Sequence, residues 1–170
     1  MLGTGHPLAA FCLGILLGLV GTPAFAMSPS DAEPSDDTTP ILTVVDDGNT
    51  RELSLRDIER LPLYEAELEH FEGLTGLFTG VRLEEFIDEF GLSDARRLRF
   101  IAADDYTIFL TPEEVRERGF LLVTRFDGEP VPPTQLGPLM LVVPDEEEAV
   151  LAGEISPTEW MWSIIEIRIQ

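Results

Sequence analysis

The chain has 170 residues, 44% of them hydrophobic and 8% aromatic, enough for one domain with a core of its own. Its 32 Asp and Glu residues outnumber 11 positive side chains, all of them arginine, giving a net charge of -21. Repulsion argues against nucleic acid and anionic membrane surfaces as partners, leaves a basic partner open, and otherwise describes a solvated acidic surface.

Residues 1–26 read as a signal peptide. Residues 8–20 are an apolar run too short for a comfortable membrane span, and Ala24-Phe25-Ala26 supplies a small-residue cleavage site. The expected mature chain begins at Met27 and is periplasmic or secreted, with no stable membrane insertion after cleavage. No Lys or Arg precedes the apolar run, so an uncleaved anchor is the alternative; Phe11 before Cys12 is too bulky for a lipoprotein signal. Cys12 is the sole cysteine and would leave with the signal, so the mature protein has no thiol to form a disulfide or bind a metal. His6 would leave too, and His70 is then the one histidine left.

Residues 27–39 are polar and punctuated by proline, the composition of a disordered linker, which places the domain at 40–170. ILTVVD and RELSL around DDGN predict a hairpin, and Ser54 can cap a short helix that stops before Pro62. YEAELEH (64–70) alternates weakly. Leu83, Phe86, Ile87 and Phe90 recur at helical spacing, with Gly91 as the stop. Residues 97–110 predict two strands around Asp104-Asp105, and Thr111, Pro112 and Glu114 spell a capping box with proline at the first helical position. FLLVTRF leads into the turn DGEP, and PLMLVVP is a short, wholly apolar strand. Short strands with a few short helices between them predict an α+β domain that is mostly β.

The chain closes on EWMWSIIEIRIQ. Extended backbone would put Trp160 and Trp162 on one face and Ile165, Ile167 and Ile169 on another, with a bulge near Ser163 switching the parity. The tryptophans would then either cover the core or floor a small-ligand pocket. Other chemistry is scarce. No G-x-S-x-G elbow accompanies a serine, the acidic run 146–148 lacks a calcium loop's spacing, and no phosphate-cradling glycine motif occurs. No catalytic residue and no metal ligand can be assigned.

Four stretches in order carry a resemblance: FTGVRLEEFIDEFGL (78–92), FIAADDYTIFL (100–110), DGEPVPPTQLGPLMLVVP (127–144) and EWMWSIIEIRI (159–169). Together they resemble the molybdopterin-binding domain of the sulfite oxidase family, most closely its small, exported, single-domain members. The resemblance implies a sulfite-oxidase-like molybdopterin-binding domain fold and a pterin-bound molybdenum as the family's cofactor. It implies a molybdenum-ligating cysteine in the region matching 65–76, where this chain reads EAELEHFEGLTG, and cations where it has Met140 and Met161. With those groups missing and no lysine, the cofactor is expected to be absent and molybdopterin is implied by resemblance only. In the resembling fold the cleft lies between the segment after YEAELEH, the FIAADDY hairpin and the closing tryptophans. That implies a site of His70, Asp104, Tyr106, Trp160 and Trp162. The preferred expectation is a non-catalytic module binding a small ligand or a periplasmic protein partner; the alternative is a molybdopterin-dependent oxidoreductase without a cysteine ligand.

Overall fold

The computed structural model describes residues 27–170, so the signal-peptide expectation and Cys12 lie outside the described residues. In chain order, β1 (Ser28–Pro29) precedes the hairpin of β2 (Pro40–Asp46) and β3 (Asn49–Ser54). Asp47 and Gly48 form its two-residue turn with φ of 45° and 85°, the left-handed pair that such a turn demands and that Asp-Gly supplies most readily. Ser54 caps α1 (Leu55–Glu59): its hydroxyl accepts the Asp57 N–H, and the Asp57 carboxylate accepts the Ser54 N–H in return. β4 (Leu63–Glu69) and β5 (Thr75–Arg82) pair antiparallel, and α2 (Leu83–Glu89) buries Leu83, Phe86 and Ile87.

β6 (Leu98–Ala102) and β7 (Thr107–Leu110) form the second hairpin, and the reciprocal Thr111–Glu114 cap starts α3 (Pro112–Arg118). β8 (Leu121–Phe126) turns through Asp127-Gly128 into the short β9 (Glu129–Pro130). After β10 (Met140–Val142) come two single 3₁₀ turns, at Pro144–Glu146 and Pro157–Glu159, with α4 (Glu147–Leu151) between them, and then β11 (Ile164–Ile169).

Two sheets result. One runs β1-β4-β5-β8-β10 with β9 paired to β8, and the other runs β3-β2-β11-β6-β7, with β11 parallel to β2 and antiparallel to β6. The fold is α+β and mostly β. Alternation in the first sheet divides its side chains between two cores. Leu63, Val81, Leu122 and Leu141 face the larger core, shared with α1, α2, α3 and the second sheet. Ala66, Leu68, Phe78, Leu121, Val123, Met140 and Val142 face the smaller one, which Val150 and Trp160 complete. Backbone buried on both faces of a sheet needs apolar residues at successive positions, which is why Leu121, Leu122 and Val123 of β8 and all of β10 read as unbroken hydrophobic runs.

Two expectations are corrected. Residues 27–39 do not run free of the domain. Ser28 and Pro29 pair with Glu65 and Tyr64, the Ser30 N–H donates to Leu63 O, and the Arg56 N–H donates to Asp37 O. The buried Glu59 carboxylate accepts the Ser35 N–H at 2.7 Å, and Arg125 donates to both Glu59 and Glu33 O. Backbone groups met by distant partners order a segment whose side chains carry little apolar surface. Second, Ile165 is 40% exposed while Ile164 and Ile167 are fully buried. The bulge falls between Ile164 and Glu166 rather than at Ser163, so Ile165 is the extra residue and is turned outward. Ser163, with φ of 53°, marks the break before β11 instead.

Candidate functional site

The closing tryptophans lie outside β11, alongside β10. Met161 O accepts the Leu141 N–H at 2.7 Å, so this short stretch behaves as extended backbone beside the first sheet. Alternation then sends Met161 into the larger core, and Trp160 and Trp162 towards the smaller one. The two rings have different environments. Trp160 is 1% exposed and belongs to the core, whereas Trp162 is half-buried and lines a cleft.

That cleft has a volume of about 300 Å³, and its walls include Phe71, Asp104, Tyr106, Thr158 and Trp162. Three elements build it. The reverse turn after β4 carries Phe71, with the Gly73 N–H donating to His70 O and the His70 N–H to Leu74 O. The β6–β7 hairpin carries Asp104 and Tyr106; Asp104 Oδ1 accepts the Tyr106 N–H at 3.1 Å, and Asp105 takes the positive φ of 68° that closes the turn. The 3₁₀ turn at Pro157–Glu159 is started by Ser156, whose hydroxyl accepts the Thr158 N–H, and it delivers the chain to the tryptophans. The Tyr106 hydroxyl donates to Thr158 O at 3.1 Å and ties the hairpin to this turn across one side of the cleft.

The structure thus brings Asp104, Tyr106 and Trp162 together at the cleft and places His70 and Trp160 behind its aromatic wall. His70 is fully buried, with ring centroids 4.6 Å from Phe71, 5.6 Å from Trp160 and 6.2 Å from Trp162. Burial pushes its pKa down from 6.5 to about 4. Nδ1 accepts the Glu72 N–H at 3.2 Å, which assigns the proton of the neutral ring to Nε2. Neither His70 Nε2 nor Trp160 Nε1 has a hydrogen-bond partner among the described residues. His70 is therefore a neutral aromatic wall at pH 7 rather than a cation.

Phe71 and the Ser156-Pro157-Thr158 turn were not among the sequence candidates. Phe71 was one residue from a candidate, and only the backbone reversal after β4 decides that Phe71 faces the cleft while His70 faces the core. Ser-Pro-Thr does carry the signature of a capped turn, which could have drawn attention to the stretch.

Residues 47–150 match the model of the oxidoreductase molybdopterin-binding domain. The chain belongs to that family. No curated protein sequence matches it. The family binds molybdopterin, so the residues around the cleft can be compared with what that cofactor needs. Among the described residues none is a cysteine, and no three His, Cys, Asp or Glu side chains are grouped as a metal would require. Among the described lining residues Asp104 is the one charged side chain, and a carboxylate repels a pterin phosphate. The groups lining this cleft do not fit the family's cofactor. No helix among the described residues is long and apolar enough to cross a membrane.

Proposed function

We propose that this family member is an exported, non-catalytic binding module, in which the cleft between Phe71, Tyr106 and Trp162 receives a small organic ligand or a side chain of a periplasmic protein partner. The observation that carries the reading is the lining itself: aromatic rings, one carboxylate and, among the described residues, no thiolate or cation to hold molybdenum or a phosphate. A cleft of about 300 Å³ sits at the small end of ligand sites, suited to a compact molecule. Export rests on the apolar run and the Ala24-Phe25-Ala26 site, with the mature chain starting at Met27.

One preparation tests both halves. The protein is purified from the periplasm of cells that make molybdopterin, and its intact mass and molybdenum content are measured. The expected result is a chain lacking residues 1–26 with far less than stoichiometric molybdenum. A stoichiometric metal content would overturn the non-catalytic reading in favour of an oxidoreductase without a cysteine ligand. A full-length mass in that fraction would replace cleavage with a retained anchor.

A further inference from the structure

We propose that the ligand of this cleft is a small organic cation, a substituted ammonium with an alkyl-covered head; the inference rests on the reading of the cleft as a ligand site. Three observations converge on charge and shape. The wall presents the rings of Phe71, Tyr106 and Trp162, and the faces of such rings carry negative electrostatic potential that attracts cations. Phe71 and Trp162 meet at 59° with centroids 5.7 Å apart, so they form a corner rather than a flat stack. Corners of this kind let one rounded head touch two π faces at once, as aromatic cages for quaternary ammonium groups do.

The second observation is Asp104. Its Oδ1 is engaged by the Tyr106 N–H, and its side chain lines the cleft with no cationic partner among the described residues. The other acidic side chain of the neighbouring turn, Glu159, is paired with Arg118 and does not compete. No arginine is among the described lining residues, and His70 behind the wall is uncharged at neutral pH because burial holds its pKa low. Among the described residues, then, no positively charged side chain lines the cleft to oppose a cation. The third is the net charge of -21, which concentrates small cations near the surface and speeds their encounter.

The same features select among cations. A calcium or magnesium ion requires several oxygen ligands, and one carboxylate in an aromatic wall does not supply them. A bare ammonium would lose hydration to apolar surface without compensation, whereas alkyl substituents are favoured by that surface. Anions are disfavoured by both the rings and Asp104.

The test uses isothermal titration calorimetry at constant ionic strength with two probes, choline chloride and neohexanol, the uncharged carbon isostere of choline. Choline should bind about tenfold or more tightly than neohexanol, because the shapes match and only the charge differs. Asp104→Asn keeps the acceptor for the Tyr106 N–H; it should weaken choline binding severalfold and leave neohexanol unchanged. Equal binding of the two probes to the wild type, or an Asp104→Asn variant that binds choline as the wild type does, would overturn the cation inference while the cleft survives as a site for neutral ligands. Binding of neither probe would overturn both.

Discussion

His70 offers the most direct check on the structure around the cleft. In the folded protein burial lowers its pKa to about 4, against 6.5 for the free side chain, and protonation would also set an N–H of the ring against the Glu72 N–H that Nδ1 now accepts. The unfolded chain therefore takes up a proton at a pH where the native protein does not. Stability from this group is complete above pH 6.5 and is lost as the pH falls towards 4. At 1.36 kcal/mol per pH unit the interval amounts to about 3 kcal/mol, of which about 2 kcal/mol is gone by about pH 5. For a domain of this size a 2 kcal/mol loss lowers the melting temperature by about 7 °C. Other groups also respond to acid. Asp57, Asp88 and Glu114 have pKa values lowered by hydrogen bonds from Ser54, Ser93 and Thr111, and protonating the surface also relieves its self-repulsion. A difference measurement removes these contributions. Urea unfolding of the wild type and of His70→Phe, which keeps an aromatic ring against Phe71 and Trp160, should give stability curves that diverge by about 2 kcal/mol between about pH 7.5 and about pH 5, the variant losing less. Parallel curves would show that His70 protonates freely in the folded state, and the neutral wall behind the cleft would be wrong.

Arg125→Ala should cost about 3–5 kcal/mol in chemical denaturation, because it strands the fully buried Glu59 carboxylate and frees Glu33 O at the same time; a cost below about 1 kcal/mol would mean that water replaces the guanidinium at Glu59, and that the segment 27–39 is not held by this pair. Melting temperature at pH 7 should rise with sodium chloride through the first few tenths molar, since a charge of -21 repels itself in the compact state and salt screens that repulsion; a flat or falling series would show the acidic groups already paired with arginine or bound cations. Tyr106→Phe removes the hydroxyl that reaches Thr158 O and leaves the ring, so it should lower stability by about 1 kcal/mol or less and raise hydrogen exchange in the 157–159 turn, and unchanged exchange there would show that the hairpin and the turn are not tied.

Local rules were legible in the residues themselves. The Asp-Gly turn after β2, the Ser54 and Thr111 caps, the α2 stripe of Leu83, Phe86 and Ile87, and the β6–β7 reversal at Asp104-Asp105 each depend on a few neighbouring side chains, and the structure has them where the sequence puts them. The family was legible too, and three of the four stretches that carry the resemblance lie within the matched residues 47–150. What the sequence could not decide involves partners far apart in the chain. The polar segment 27–39 is held by backbone bonds to β4 and by Glu59 and Arg125, and composition records side chains, not the acceptors that a distant strand offers. In the closing stretch, period-2 alternation correctly separates Met161 from the two tryptophans, but a single extra residue at Ile165 resets the parity of β11 and sends Ile165 to solvent. The candidate site divides for the same reason. Asp104, Tyr106 and Trp162 reach the cleft and His70 and Trp160 lie behind it, because that choice is made by the direction of the turn after β4 and by how deeply each ring sits in the smaller core.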